Sequence, residues 1–339
     1  MPSTSQPAVT DAEYDKFLRG YSITDCAVRD GKFLHFIARD DEASARASVI
    51  SEATVPKRMI VFYPQKDAGL RLGAREFEGY QQLMIGANRH GEDKAVCVAV
   101  DGEVFVTGGG SSEAEDGIAK GRQGPRRGAI QRVRMIGDVL HAVGGGHTVC
   151  RRRGRNDWES LGLDLPLESR ADFDDVERAA DMAFEDIDGF SAADLYAVAG
   201  RGRVWHCDGH RWTPIALPSS LLLYSVCCAG DGFVYIGAQS GSVFRGRGQE
   251  WTLLCRGEMT LPFKDIVWHA DQVWATSDYG LWRIEGDRLI QAVLPSEIAV
   301  CAGNLSAAGG TMLMAGTHGA AYHDGQVWHS IFNRRELEP

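Results

Sequence analysis

The feature of this sequence that most restricts its fold is a short module that recurs along the chain. The stretch DLYAVAGRGRVWHCDGHRW (194–212) has two alternating apolar runs, a glycine-rich break and an Asp-Gly turn, which indicate strands joined by tight turns. Similar modules start at Val139, Phe233, Gln272 and Met312. The turn residues that align between copies are Gly108, Gly144, Gly200, Gly237, Ser277 and Gly316. Most intervals are about 36–40 residues, with one of about 56, which is typical of four-stranded propeller blades.

A blade of this kind cannot bury both of its faces alone, so the copies must stack on one another. The sequence therefore predicts an all-β fold with a single β-propeller of seven four-stranded blades, or six if the first region is not a blade. We place the blades near residues 21–90, 93–128, 129–165, 183–217, 222–256, 263–293 and 298–331. In the first, RMIVFYP and YQQLMIGA are expected to be the outer strands. Residues 1–20 and 332–339 are terminal tails, and the first is a candidate closing segment.

Four cysteines give a second indication of the register. Cys26, Cys97, Cys227 and Cys301 occupy similar positions before the turns of four copies, so we expect buried thiols in the innermost strands. The eight cysteines include no C-x-x-C pair and fit a reducing compartment.

The modules resemble bacterial WD-like or YVTN-like propeller repeats of the pattern D-[VL]-[WY]-A-V-G…G…[IV]-x-H-x-D-G-x-x-W. The resemblance covers about four-fifths of the chain. It implies a propeller fold and leaves the function open.

Composition adds limits on the class of protein. The 339 residues contain 44% hydrophobic residues and 40 glycines, which a single propeller accommodates without a second core. Residues 1–10 do not resemble a signal peptide, and no apolar run is long enough for a membrane span. A net charge of −10 argues against a nucleic-acid binder and favours a basic protein partner. We therefore expect a cytoplasmic monomer.

One local exception is an arginine-rich sector of blades 2 and 3. Its members are Arg122, Arg126, Arg127, Arg132, Arg134, Arg151, Arg152, Arg153 and Arg155. The sector is either a solvated face or a contact patch for an acidic surface.

Motifs that carry chemistry are scarce. The glycine runs lack the Lys-Ser/Thr of a phosphate loop, EDIDGF has only the middle of a calcium loop, and His147 and Cys150 have no second pair to complete a zinc site. We expect no cofactor, no metal ion and no assignable catalytic residue.

The positions of the longer connections between strands indicate which face of the propeller binds a partner. In a four-stranded blade, the connection between the second and third strands and the connection to the next blade open on the same face. The segments 39–57, 108–122 and 162–182 are expected on that face, and only the loop 66–79 on the other. The third insertion predicts a helix capped by Ser169, with acidic residues in its first turn and a stripe of apolar residues.

The favoured hypothesis is a non-enzymatic protein that binds a protein partner through this face, for example a bacterial immunity or regulatory protein. The predicted contact residues are His147, Arg201, Gln239, Asp278, Tyr279, His318, Asp172, Asp174, Asp175 and Glu177. Arg201 and Tyr279 are the expected anchors. The alternative is a propeller hydrolase or lyase with its site at the axial opening of the same face, although paired carboxylates and a metal cage are not evident.

Overall fold

The computed structural model of the chain describes residues 7–167, 169, 175–257 and 259–338. These residues form seven antiparallel sheets of four strands each, so the predicted seven-bladed β-propeller is confirmed. The strands of blades 1–3 are β1 (Tyr21–Asp30), β2 (Phe33–Asp40), β3 (Lys57–Phe62), β4 (Leu72–Phe77); β5 (Leu83–Asn88), β6 (Lys94–Ala99), β7 (Val104–Gly108), β8 (Ser111–Glu115); β9 (Ile130–Ile136), β10 (Val139–Gly144), β11 (Thr148–Gly154) and β12 (Asp157–Ser160). The strands of blades 4–7 are β13 (Phe184–Ser191), β14 (Asp194–Ala199), β15 (Arg203–Cys207), β16 (Trp212–Ala216); β17 (Leu223–Cys228), β18 (Val234–Ala238), β19 (Val243–Arg247), β20 (Glu250–Cys255); β21 (Asp265–His269), β22 (Gln272–Ser277), β23 (Gly280–Glu285), β24 (Arg288–Gln291); β25 (Asn304–Ala308), β26 (Thr311–Gly316), β27 (Gly319–His323) and β28 (Trp328–Asn333).

The first strands of the blades surround the axis. Each contacts the first strand of the next blade, and β25 contacts β1, so the ring is closed. Second strands such as β14 are buried on both faces because a neighbouring blade lies on each side, whereas the outer strand β16 buries only Trp212 and Ile215 and exposes its other three residues. Packing between blades is close: a Cβ on Gly86 would lie 2.3 Å from Leu140 Cδ1 of the next blade.

The helices lie in the connections and at the termini. They are α1 (Asp11–Phe17), α2 (Asp41–Arg46), α3 (Val176–Asp181), α4 (Ser296–Ala299) and α5 (Arg334–Leu337), with 3-10 turns at Val49–Thr54 and Gln239–Gly241. Helix α3 lies between blades 3 and 4, where a helical insertion was predicted, and its N-cap is Asp175. The helix start predicted after Ser169 falls on residues 170–174, which lie outside the described residues. Within the described ranges, no helix is long and apolar enough to cross a membrane.

The N-terminal segment joins the last blade to the first. The backbone N–H groups of Ala8 and Val9 donate to the carbonyls of Ser330 and Ile331 in β28, at 3.1 and 3.0 Å. The carboxylate of Glu13 in α1 then accepts the backbone N–H of Arg71, at 2.6 Å, beside β4. This segment ties the two blades together where the ring closes.

The sequence-based register of blades 1 and 2 was wrong by one strand. The run YQQLMIGA forms β5, the first strand of blade 2, and the fourth strand of blade 1 is instead Leu72–Phe77, which we had placed in a loop. Cys97 is consequently in a second strand, and Gly108 ends a third strand. Cys301 precedes β25 rather than lying in it, whereas Cys26 and Cys227 do lie in first strands. All four thiols are buried as expected.

Candidate partner-binding face

The strand order places seven second-to-third-strand connections and the connections between blades at one end of the propeller, which we call the insertion face. Segment 41–56 of blade 1, segment 116–129 between blades 2 and 3, and segment 161–183 between blades 3 and 4 all belong to it. The turn at 108–110, which the sequence assigned to this face, joins the third and fourth strands of blade 2 and lies at the opposite end.

Helix α3 is fixed to blade 4 by an arginine. Arg201, in the turn between β14 and β15, pairs with Glu177 at 2.7 Å and with Asp181 at 3.4 Å. Hydrogen bonds from Arg201 to Asp181 and Glu177 raise the pKa of the guanidinium. Asp175 caps the helix by accepting the backbone N–H groups of Glu177 and Arg178. The structure therefore brings three of the predicted contact residues together.

Two glycines allow the close approach of these segments. Gly200 has a φ of +34°, and a Cβ there would lie 2.6 Å from the Cα of Asp181. Gly202 has a φ of +62°, and a Cβ would lie 2.0 Å from the carbonyl oxygen of Ser219. The turn is thus held between α3 and the connection to blade 5, with room only for glycine.

The same surface continues into blade 5. Arg201 forms an isolated β-bridge with Leu222, and the backbone N–H of Gln239 donates to the Leu222 carbonyl at 2.8 Å. Val176, which begins α3, is 83% exposed, although it is apolar. Val176, Glu177, Arg201, Leu222 and Gln239 therefore form a connected row across the insertion face.

Large exposed apolar side chains are concentrated on this face. Those in its connections are Leu163, Val176, Leu222, Tyr279 and Val293. Of the other four among the described residues, three lie at the opposite end and one in the outer strand β20. Apolar groups exposed in rigid connections are typical of protein interaction sites when they share a surface.

The remaining predicted contact residues are placed differently. Asp278 forms a 2.6 Å ion pair with Lys264, the neighbouring Tyr279 is 68% exposed, and His318 is exposed. His147 is 3% exposed: its ring packs on Phe184, and its Nδ1 lies 3.1 Å from a carbonyl oxygen, so it supports the fold beneath the face. Burial lowers the pKa of His147. Asp172 and Asp174 lie outside the described residues.

The axis contains a charged cluster that the sequence did not reveal. Arg134 on β9 reaches Asp186 at 2.9 Å and Asp265 at 2.6 Å, and Arg132 reaches Asp265 at 3.2 Å. The same carboxylates accept the backbone N–H groups of Val226 and Leu305. We call these four side chains the axial ion-pair cluster. It connects first strands of blades 3–7 and occupies the axis below the insertion face.

The charges in this cluster stabilise one another. Burial alone would raise the pKa of Asp265, but the charges of Arg134 and Arg132, together with hydrogen bonds from Leu305 and Arg134, lower it. Beside the cluster, a cavity of about 200 Å³ is bordered by Asp25 and Asp188, and burial raises the pKa of each to about 6. No group of three or more potential metal ligands occurs in the part of the chain that the structure describes.

The arginine-rich sector is largely occupied by internal contacts. Arg152 is fully buried against Glu115, with Nη2 and Oε1 at 2.9 Å, and Arg151 and Arg155 pair with Glu159 and Glu113. Arg126 and Arg127 donate to backbone carbonyls of the connections, and Arg132 and Arg134 belong to the axis. The alternation of arginine along β9 was the available signal for the axial ion-pair cluster. A sequence cannot show that carboxylates of distant blades face the arginines of β9.

Comparisons with known proteins agree with this architecture. No family model matches the sequence. The structure of YCF48 bound to D1 peptide is similar, with a TM-score of 0.58, 12% identity and coverage of 94% of this chain and 94% of that chain. The WD40 propeller domain of Doa1 gives a TM-score of 0.56 at 10% identity, covering 88% of this chain and 90% of that chain. The chain therefore shares the β-propeller fold of these structures.

A protein-level comparison is more specific. Immune protein Tsi7 of Pseudomonas aeruginosa is 31% identical over 245 residues, which cover 70% of this chain and 76% of that protein. The chain belongs to the family of immune protein Tsi7.

Proposed function

We propose that this protein is a bacterial immunity protein that binds and neutralises a protein partner through the insertion face. The observation that carries the proposal is the connected row from Val176 to Gln239, in which exposed apolar side chains flank an ordered ion pair. A rigid scaffold that presents apolar groups beside satisfied charges is the arrangement found at protein interfaces. The relative named immune protein Tsi7 supports the immunity role, and the propeller YCF48, solved with D1 peptide, supports protein binding as a use of the fold.

A basic contact region on the partner follows from the charges of α3. Glu177 is 73% exposed and Asp175 is 46% exposed, even though both make contacts within the protein. The Oε1 atom of Glu177 remains available to cations of the partner, which would favour binding at low salt, whereas Oδ2 of Asp175 lies 3.5 Å from Nε of Arg178. The net charge of −10 acts in the same direction at longer range.

The contact surface is tested by variants on the two ends of the propeller. The partner is captured from extracts of the source organism, identified, produced separately and titrated calorimetrically. We expect Leu222→Asp and Tyr279→Ala to weaken binding by about tenfold or more, because both remove exposed apolar area on the insertion face. Val327→Asp and Phe233→Ala are matched controls, since these residues are 54% and 44% exposed at the opposite end. Equal losses for both pairs would contradict the proposed face.

The immunity role is tested separately. If the captured protein inhibits growth when it is produced alone, co-production of the wild-type chain is expected to restore growth, and the Leu222→Asp variant to restore it less. Growth inhibition that persists with the wild-type chain would reject the immunity role while leaving the binding result intact.

We also propose a cytoplasmic monomer that does not bind nucleic acid. All eight cysteines are free thiols, six of them buried, as suits a reducing compartment. Cell fractionation and size-exclusion chromatography with light scattering are the corresponding measurements.

A further inference from the structure

A cleft lies between blades 1 and 2, at the end of the propeller opposite the insertion face. Two cavities of about 310 and 380 Å³ adjoin there and share His35, Val61, Tyr63, Thr107 and Ser112 as lining residues. Volumes of this size are typical of sites for small molecules. The cleft is formed by the ends of β1 and β3, the start of β2 and the turn between β7 and β8. We call it the blade 1–2 cleft.

Arg29 brings a buried positive charge to this cleft without a carboxylate to balance it. The residue is 6% exposed, and it forms no salt bridge with any described carboxylate. Its guanidinium stacks on Phe33 at 3.7 Å from the ring centre, and Nη1 makes a long contact of 3.4 Å with the Asp93 carbonyl. Nε is buried, and among the described residues neither Nε nor Nη2 has a hydrogen-bond partner. That edge of a guanidinium is the one that receives an oxyanion through two parallel hydrogen bonds.

His35 adds a second unsatisfied group. Its side chain is 2% exposed, and neither ring nitrogen has a hydrogen-bond partner among the described residues. Burial and the nearby charge of Arg29 lower the pKa of His35 to about 3, so the ring is neutral at physiological pH. A neutral imidazole offers one donor and one acceptor. Burying both without partners is unfavourable, and a bound polar ligand removes that cost.

The rim of the cleft is also suited to an anion. The turn at Gly108–Gly110 lies against the guanidinium, since a Cβ on Gly108 would come within 3.2 Å of Arg29 Nη1. Lys94 donates to the Gly108 carbonyl at 2.9 Å and to the Ser111 hydroxyl at 2.7 Å, which fixes the turn and adds positive charge. The hydroxyl groups of Thr107 and Ser112 lie on the same side, 2.6 Å apart.

We propose that the blade 1–2 cleft binds a small organic anion that carries a carboxylate or phosphate group. The Nε and Nη2 edge of Arg29 holds the oxyanion, His35 makes a neutral hydrogen bond, and the apolar part of the ligand contacts Val61 and Tyr63. The site is independent of the insertion face, because the two lie at opposite ends of the propeller and share no residue.

The test measures thermal stabilisation by inorganic phosphate and by acetate, each titrated against chloride at equal ionic strength. The wild type is expected to show a saturable rise in Tm with at least one of the two anions. A response to phosphate identifies a tetrahedral oxyanion, a response to acetate identifies a carboxylate, and either one supports the site. No saturable response to either anion would overturn it.

Variants place the response at the cleft. Arg29→Gln is expected to weaken the apparent affinity about tenfold or more, because the charged bidentate contact is lost. Arg245→Gln is the matched control: Arg245 also stacks on an aromatic ring, that of Phe233, at the same end of the propeller, and it is expected to bind like the wild type. His35→Leu is the second variant, and it is expected to fold normally and to lose anion binding. Equal affinities for Arg29→Gln, Arg245→Gln and the wild type would overturn the proposal.

Discussion

The axial ion-pair cluster and the blade 1–2 cleft place the same residue type in opposite circumstances. Arg134 at the axis is 18% exposed and contacts two carboxylates, whereas Arg29 in the cleft is 6% exposed and contacts an aromatic ring and one carbonyl. A buried charge with partners is part of the fold, and its removal leaves the partners unsatisfied. A buried charge without a carboxylate is available to a ligand. The comparison shows that the partners of an arginine, more than its burial, indicate its role.

The largest effect is expected at the axis. Arg134→Met leaves Asp186 and Asp265 with one cationic neighbour, Arg132, and should lower the free energy of unfolding by about 3–5 kcal/mol. Urea denaturation measures this change. Arg153→Met, in a pair that is 54% and 39% exposed, is the control and should change it by less than about 1 kcal/mol. Similar losses for both variants would show that the axial ion-pair cluster has no special structural role.

The next largest effect is a dependence of the free energy of unfolding on pH. The pKa of Asp25 is raised to about 6 by burial, so the folded protein binds this proton more tightly than the unfolded chain does. The resulting stability is present at low pH and is lost as the pH rises through about 6, by up to about 3 kcal/mol. Asp25→Asn removes this titration. The free energy of unfolding of the wild type, relative to that of the variant, should therefore fall between about pH 4 and pH 7. Parallel curves would show that Asp25 does not titrate in this range.

The smallest change in the free energy of unfolding is expected for a substitution in the blade 1–2 cleft, measured without a ligand. His35→Leu removes an imidazole that has no hydrogen-bond partner among the described residues, so the free energy of unfolding should be unchanged or higher by up to about 1 kcal/mol. His141 is the matched control because it is also buried at the third position of a second strand, but its Nδ1 lies 3.0 Å from the Val139 carbonyl oxygen. His141→Leu should therefore be about 1 kcal/mol less stable than the wild type. A greater loss for His35→Leu than for His141→Leu would mean that His35 has a structural partner.

The repeat determined most of the fold in advance because each blade carries its own strand and turn signals. The error at blades 1 and 2 has a local cause. Leu72–Phe77 is an outer strand in which only Leu72 is buried, and its sequence LGAREF has no alternation of apolar and polar residues. The strand β5 is buried throughout, as second strands are, and hydrophobicity alone does not separate an inner strand from its neighbour.

The candidate sites were predictable to different degrees. The insertion face followed from counting strands and finding departures from the repeat, and the exposure of Tyr279 agrees with the anchor role predicted for it, which binding measurements have yet to test. Arg201 was also proposed as an anchor, yet it pairs with Glu177 and Asp181, because α3 folds back onto its turn. His147 is in the expected turn, but its ring points into the core between blades. A turn position can be read from a period, whereas the direction and partners of its side chain depend on neighbouring segments.

The sequence by itself determined a ring of four-stranded blades, seven or six in number, the end of the propeller that carries most insertions, and the burial of the cysteines, because these depend on patterns repeated within each blade. Only the tertiary structure decided which charges meet. Arg134 and Asp265 are 131 residues apart in the sequence and meet at the axis, whereas Arg29 enters a cleft in which no described carboxylate pairs with it. The physical reason is that ring closure, rather than local pattern, sets the distances between blades, and electrostatic energies depend on those distances.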